Sequence, residues 1–580
     1  MNESIASLYR HSTAAGPPLR VCVAVDDWYL PIVYREVLRD ICECDFAELC
    51  CVLHVATPTA APDAPRTAAV AARARLEASG RDAGLFALYR RWINARFPTA
   101  DDPLRPADCR DLLGSLPAVS LVEQRPESAE ISTRQPLEAL RGERIDVVLK
   151  MTSSSLARAV FDVPRYGVWA YDYGDREPGV AGAAGFWEMY GQSPVTRIEL
   201  QRIAAGGGEH TTLVAAQFTT ESTVSMALNA HVLLWGSRHF VIQKLNEIHS
   251  RGDRAAGPRQ ASARAPAVRG GRRRAPNNLE MVAWAARRVA PKLIRRAFGP
   301  RSLDTWRVAL RKSDEPLFVG RAATGGTPFK LLENPRGHYW ADPFLIDVGN
   351  QVYLLMEDLP FATRKGVIIA AAVAPDGTLG PVETVLERPY HLSYPFVFAH
   401  GGDVFMIPET YQAGVIELYR ARRFPHDWVR EQTLLSVPGL DSTPFQAHGR
   451  WWMFTSPIIG EAHPAVNMLF TATALDGEWR LHPASPIATD VRWARNGGAV
   501  VQEGGRLVRV SQNCAGGYGR SLGFSTITRL SEFDYEERPD FSLEPGWMPG
   551  QIGVHTYNRA AGWEVIDAKF NLPAREVLGP

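Results

Sequence analysis

The 580-residue sequence has almost no charge imbalance: 64 Lys and Arg stand against 63 Asp and Glu, a net charge of +1 at pH 7. That balance gives no global case for a nucleic-acid partner. No apolar run reaches the ~18 residues of a spanning helix, so no membrane span is expected. The opening stretch, MNESIASLYRHSTAAGPPLR, has no apolar core of a secretory signal. A cytoplasmic protein, at most resting on the inner face of the membrane, is the expectation. Cysteine is scarce, with seven in all, and the spacing of Cys42, Cys44, Cys50 and Cys51 is not that of a zinc ribbon or finger. Free thiols in a reducing compartment are expected. The histidines form no HExxH and no metal-ligand spacing, so neither a metal nor a resident cofactor is expected. Gly519-Arg520-Ser521-Leu522-Gly523 fits Gly-x-Ser-x-Gly, but it reads as strand rather than as a strand–turn–helix elbow. Gly206-Gly207-Gly208 does not sit between a first strand and a helix, so it reads as a turn rather than a phosphate loop.

What is present divides the chain, which is too long for one core. Residues 1–19 read as a flexible tail. Residues 20–252 alternate strands (20–25, 46–56, 144–151) with helical stretches (LPIVYREVLRDICE, RTAAVAARARLEASG, GLFALYRRWINARF). This pattern predicts a parallel, doubly wound α/β sheet. Residues 233–252 read as one closing amphipathic helix. Residues 253–277 are rich in Arg, Ala, Pro and Gly without apolar period and read as a disordered basic linker. Residues 278–300 hold a basic helix interrupted at Pro291, whose 279–298 stretch could pack on a domain or make peripheral contact with a membrane.

From 301 to 580 the sequence repeats. HYWADPF begins a unit at His338 that closes at Glu357-Asp358, and similar units start at Ser393, Asp441, Arg495 and Gly553. The first three share prolines, Pro343, Pro395 and Pro444, spaced 52 and 49 residues apart. Repeats of about 40–50 residues holding several short strands predict propeller blades, and five copies predict a five-bladed β-propeller. The strands before the first repeat are expected to complete the last blade, which removes exposed sheet edges. Asp342, Tyr394, Asp441, Arg495 and His555 hold near-equivalent places, and Glu357, Glu409, Ser456, Gln512 and Asp567 close the hairpins at the same end. A ring of carboxylates, one Arg and one His should therefore face a single funnel.

Paired carboxylates are the usual apparatus of glycosidic chemistry. Asp342 is the candidate base or nucleophile and Glu409 the candidate acid. Asp441 or Glu357 would orient the sugar or tune a pKa, and Arg495 would clamp a carboxylate or phosphate. Gln512 belongs to the same ring. Trp340, Tyr394 and His555 would line the sugar-binding walls.

Two resemblances extend this. The order DVVL, YGVW, a glycine-rich loop, GFWE, PVTRIEL and a glycine turn resembles the formyltransferase fold over roughly residues 20–250, a Rossmann-like α/β domain. That family places an Asn-x-His pair and a later Asp around its formyl donor. Here those places fall on Ala170, Asp172 and near Gly206, with Asp175 close by, which implies a degenerate site. WADPF resembles the first-blade Asp motif of invertases, levansucrases and arabinanases. HYWADPF, YHLSYPFVF, MIPET, DSTPF, GRWWMF and GVHTYN together resemble the N-terminal propeller of plant glucosamine inositolphosphorylceramide transferases. Bacterial relatives join that propeller to a formyltransferase-like domain. The plant proteins carry a separate glycosyltransferase domain with no counterpart in this sequence. The resemblance implies work on a sugar, sugar nucleotide or glycolipid. Two alternatives stay open: an amino-sugar N-formyltransferase with an atypical site, needing a reduced folate donor, and a non-catalytic glycan-binding scaffold.

Overall fold

The computed structural model describes residues 5–56, 84–96, 102–122, 138, 140–152, 154–173, 185–204, 210–222, 224–258, 276–298, 301–317, 327–458 and 465–579. The chain forms two compact units, dividing between Leu293 and Ile294.

In the first unit seven strands make one sheet: β1 (Leu19–Val25), β2 (Ala47–Ala56), β3 (Ala118–Val122), β4 (Val147–Lys150), β5 (Val168–Asp172), β6 (Val195–Ile203) and β7 (Thr211–Thr219). Their order is β3-β2-β1-β4-β5-β6-β7. The first five strands run parallel, and β6 and β7 join antiparallel. The wholly parallel sheet expected from the strand–helix alternation is thus extended by a hairpin. Val21–Val25 of β1 and Val147–Leu149 of β4 are continuous apolar runs, as strands covered on both faces are. The single helix expected over 233–252 is two, Met226–Gly236 and Phe240–Arg251, broken at Ser237 to His239. The basic helix is Asn278–Trp284, a π turn Ala285–Val289, then Ala290–Phe298. The disturbance lies just upstream of Pro291 because proline donates no N–H and its ring presses on the carbonyl one turn earlier. The helix expected at 66–80, most of the basic linker, Asp175 and Gly206 lie outside the described residues.

The second unit is a five-bladed β-propeller. Its blades are four-stranded sheets running His338–Val348 to Glu383–Leu386, Ser393–His400 to His426–Leu435, Gly439–Ala447 to Arg480–Leu481, and Val501–Glu503 to Tyr535–Leu543. The fifth is assembled from both ends of the unit. Ser302–Lys312 pairs antiparallel with Trp563–Pro573, from Ser302 opposite Pro573 to Lys312 opposite Trp563, and Lys330–Leu331 pairs outside it. The closure expected of the early strands is present.

One turn recurs in every blade. The hairpin between the innermost strand and its neighbour is a two-residue turn with both φ angles positive: Gly349-Asn350, Gly401-Gly402, His448-Gly449, Gly504-Gly505 and Ala561-Gly562. Such turns match the right-handed twist of the strands they join, and glycine and asparagine adopt them at little cost. The seams between blades are filled by inner-strand side chains. Phe344, Tyr394 and Phe396 pack with Leu355 and Met406 between blades one and two.

Candidate functional site

Counting from the shared turns gives a true alignment of the blades. Seven residues before the turn stand Asp342, Tyr394 and Asp441 in the first three blades. Each has a left-handed backbone, with φ of 50°, 45° and 47°. Each also sits in a one-residue bulge: Ala341 pairs with Glu357 but Phe344 with Leu355, and the same slip falls between Ser393 and Phe396 and between Leu440 and Thr443. A bulge takes a side chain out of the strand's regular alternation and re-aims it. Holding a non-glycine residue there costs about 1 kcal/mol, and three blades carry that strain at the same place. Glu357, Glu409, Ser456 and Gln512 stand seven residues after the turn. The prolines align less well than their spacing suggested. Pro343 and Pro395 follow the bulged residue directly, whereas Pro444 lies beyond the bulge, opposite Met453. The last two blades depart: Gly497 and Val554 hold the bulge position, so Arg495 comes two residues early and His555 one late.

These residues converge. Arg495 donates through Nε to Asp441 Oδ2 and through Nη2 to Asp441 Oδ1 at 3.3 Å and Glu409 Oε2 at 3.4 Å. Gln512 Nε2 donates to Asp441 Oδ2 at 2.9 Å. Glu409 also accepts from Ser393 Oγ at 3.2 Å and from the Asp441 N–H at 3.2 Å. On the other side of the ring, Thr556 Oγ1 donates to Asp342 Oδ1 at 2.8 Å, and His555 Nε2 lies 3.4 Å from the same oxygen. Asp567 Oδ1 accepts the N–H groups of His555 and Thr556, and its Oδ2 accepts that of Asp342 at 3.1 Å. His555 Nδ1 lies 2.6 Å from Asp567 Oδ2 without hydrogen-bond alignment. The carboxylates are almost wholly buried: Asp441 and Asp567 are 0% exposed, Asp342 3%, Glu357 and Glu409 4%.

Burial sets the electrostatics. It lifts the Asp342 carboxyl to about 6 against the pull of His555, with Asp441 and Asp567 adding to the rise. Glu357 is pushed well above the usual carboxylate range by burial and by Asp342 and Glu409. Glu409 is pushed the same way by burial and Asp441, with Arg495 opposing. Burial works against charge on His555 and Arg495, but Asp567 and Asp342 hold the imidazole up, and Asp441, Tyr518 and Glu409 hold the guanidinium up. His391, 3.3 Å from Glu357 Oε1, falls to about 4 through burial and the nearby Arg495. Burial and like charge thus raise the proton affinity of Asp342, Glu357 and Glu409, and carboxyls held at different proton affinities are the condition under which one group gives a proton while another takes one.

Two expected wall residues lie elsewhere. Trp340 is packed in the apolar cluster of Leu354, Met356 and Trp563. Tyr394 is fully buried in the seam against Phe344, its hydroxyl bonded to Thr443 and to the N–H of Gly498. The aromatic rings that border the charges are Tyr518, with the Arg495 guanidinium 4.9 Å from its centroid, and Trp306, stacked on His555 at 4.0 Å. Neither these nor His391 and Thr556 were among the candidates. Trp306 comes from the closing strand and the others from inter-strand loops, where repeat alignment gives no signal. Asp342, His555 and Asp567 also offer ligand atoms within 4.8 Å of one another, a one-imidazole, two-carboxylate set that could hold a divalent cation. They share no motif spacing in the sequence, because Asp342 lies near the start of the propeller and His555 and Asp567 at its end.

In the first unit Ala170 lies buried in β5, and Asp172, at its end, accepts from Gln201 Nε2 at 3.1 Å. Gln201 also donates to Glu199, which Thr212 bonds too.

Residues 333–545, which span the first four blades, match the family described as Glucosamine inositolphosphorylceramide transferase 1, N-terminal. The chain is 36% identical over 214 residues to Glucosamine inositolphosphorylceramide transferase 1 of Arabidopsis thaliana, covering 36% of this chain and 28% of that protein. The rice protein of the same name (Oryza sativa subsp. indica) is 33% identical over 208 residues, covering 35% and 28%. The chain thus spans little more than a quarter of the length of these relatives. Among solved structures, a GH43_1 enzyme from Xanthomonas citri complexed with xylotriose aligns at TM-score 0.31 and 12% identity, covering 41% of this chain and 88% of that one. A family 117 glycoside hydrolase from Zobellia galactanivorans aligns at TM-score 0.31 and 11% identity, covering 47% and 91%. Likeness at that level says nothing about chemistry.

Proposed function

We propose that the propeller, whose first four blades match the N-terminal family of a plant glycosyl transferase, binds a sugar or glycoconjugate at its charged ring and transfers or cleaves a glycosyl group there. The observation that carries this is the convergence of carboxyls from separate blades onto Arg495 and His555, with their proton affinities driven apart. Asp342, at about 6, is ionised at neutral pH and serves as base or nucleophile. Glu409, pushed above the usual carboxylate range by burial and Asp441, serves as acid. Asp441, Arg495 and Gln512 orient the sugar and set the charge around Glu409, while Glu357 stands ready as a second acid beside a neutral His391. The plant relatives' name points to an amino sugar or a glycolipid, and a sugar nucleotide is the donor class to test. The test is turnover of sugar nucleotides and aryl glycosides by the full chain. Asp342→Asn and Glu409→Gln should each abolish it without lowering thermal stability below that of a folded propeller; undiminished turnover rejects the assignment. Asn suits the left-handed backbone at 342.

One observation favours a second reading, a non-catalytic glycan-binding scaffold: the carboxyls are almost wholly buried and largely paired with one another's neighbours. That reading predicts sugar binding that survives either substitution, with no product from any donor. For the first unit we infer a formyltransferase-like scaffold without the usual chemistry, since Ala170 brings no polar side chain and Asp172 is bonded to Gln201. Saturable binding of a reduced folate would instead support the amino-sugar N-formyltransferase.

A further inference from the structure

The helix Leu85–Arg96 carries two apolar stripes. Phe86, Tyr89 and Ile93 are buried, at 1%, 7% and 0% exposed, and pack on Phe186, Met226 and Trp284. Leu85, Leu88 and Trp92, at the same helical spacing on an adjoining face, are 40%, 59% and 55% exposed. Beside it the helix Asn278–Trp284 repeats the pattern: Met281 and Trp284 are buried, while Leu279 and Val282 are 81% and 56% exposed. The two helices are joined, since the Leu85 N–H donates to Asn278 Oδ1 at 2.9 Å and the rings of Tyr89 and Trp284 meet at 5.0 Å. With Leu293, six of the eleven exposed large apolar side chains among the described residues fall on these segments. Scattered exposed apolar residues need no explanation, but a cluster of this kind does.

The charge on the same segments is one-sided. Between 85–96 and 278–293 the sequence holds Arg90, Arg91, Arg96, Arg287, Arg288 and Lys292 against a single acid, Glu280. Glu280 is 9% exposed and is spent on the Asn277 N–H in a capping box. A chain of net charge +1 thus places an excess of basic residues on the segments that hold six of the eleven exposed large apolar side chains among its described residues. Leucine and tryptophan ringed by arginine and lysine is the composition that seats helices at the headgroup boundary of anionic bilayers. A protein partner with an apolar groove would account for the leucines but not for the excess of basic residues along 85–96 and 278–293.

We propose that this two-helix face docks the protein on an anionic lipid surface, with Leu88, Trp92, Leu279 and Val282 entering the headgroup boundary and the basic side chains pairing with lipid phosphates. The inference is independent of the propeller's chemistry. The test is co-sedimentation of the full chain with vesicles of phosphatidylcholine alone and of phosphatidylcholine mixed with phosphatidylglycerol. Binding is expected to the anionic vesicles only and to weaken as salt is raised. Leu88→Glu with Trp92→Glu should reduce it at least about tenfold, and each of Arg91→Glu and Lys292→Glu by about fivefold or more. Both acidic positions are exposed, so melting should be unchanged; Leu279→Glu gives the same readout from the second helix should the double variant fail to fold. Failure to bind anionic vesicles, equal binding to neutral ones, or binding that survives these substitutions overturns the proposal. So does a solution dimer that Leu88→Glu dissociates, which would make the face a contact between copies of the chain.

Discussion

Arg495 is the perturbation that tests the charged ring most directly. Its side chain is 10% exposed and faces Asp441 and Glu409, whose side chains are 1% and 4% exposed. Arg495→Met keeps much of the length and removes the charge, leaving two buried carboxyls without their counter-ion. Breaking one partner of a buried pair costs about 3–5 kcal/mol. For a domain of this size each 1 kcal/mol moves the melting temperature by roughly 2–4 °C, so the propeller transition should fall by roughly 6–20 °C in differential scanning calorimetry. The loss should depend on pH. Without the guanidinium, both carboxyls bind protons more tightly when folded, so the gap from the parent protein is small where all are protonated and grows as pH rises. Adding Asp441→Asn should recover about 1 kcal/mol or more, because removing both partners of a pair costs less than orphaning one. A gap below about 1 kcal/mol that is flat between about pH 5 and pH 8 would refute the reasoning and show that the ring is wet enough to solvate its own charges.

Three further outcomes follow from named contacts. Tyr394→Phe removes the hydroxyl that joins Thr443 to the Gly498 N–H; it should cost about 1–3 kcal/mol in urea unfolding while sugar binding stays intact. Gly498 has φ 141°, and an added Cβ would lie 2.0 Å from the Tyr557 carbonyl oxygen, so Gly498→Ala should cost at least about 2 kcal/mol by the same measurement. The Asp342 carboxyl, raised to about 6 when folded against about 3.9 unfolded, contributes stability that is fully present below the unfolded value and is lost as pH rises toward the folded one. Asp342→Asn should flatten the pH dependence of stability between about 4 and 6, and the parent's kcat/KM should rise with pH through about 6 if Asp342 is the base.

Much of the propeller was legible because its repeats are anchored by turn chemistry. Glycine and asparagine at Gly349-Asn350 or Gly401-Gly402 are needed for positive φ, and they hold the blades in register even where little else is alike. The polar ring at Asp342, Asp441, Glu357 and Glu409 was legible for the same reason. Proline spacing was a poorer ruler: Pro444 sits beyond the bulge that Pro343 and Pro395 follow directly, because a strand buried on both faces tolerates several apolar residues at that place. Trp340 and Tyr394 misled as wall residues since a large amphipathic ring fits a seam as well as a binding wall. In the first unit, alternating strands and helices gave the five parallel strands, but the period of an apolar stretch does not tell β6 and β7 that they must return antiparallel.

The bulge explains why the ring exists at all. In an unbroken inner strand, alternate side chains enter the two seams beside the blade, and a carboxylate there would be buried among residues such as Phe344 and Leu355. Slipping one residue at Asp342, Tyr394 and Asp441 turns that position out of the alternation. Where the residue is an acid, the turn delivers it to its partners; where it is Tyr394, the same turn delivers a hydroxyl that fastens blade two to Thr443 and Gly498 instead. The fourth and fifth blades reach the ring differently, through Arg495 ahead of a glycine pair and His555 behind the closing strand. The positive groups therefore enter at the two irregular blades, where Asp567 accompanies His555, and the other four acids enter at the regular blades. A propeller with five identical bulges would have gathered like charges with nothing to hold them.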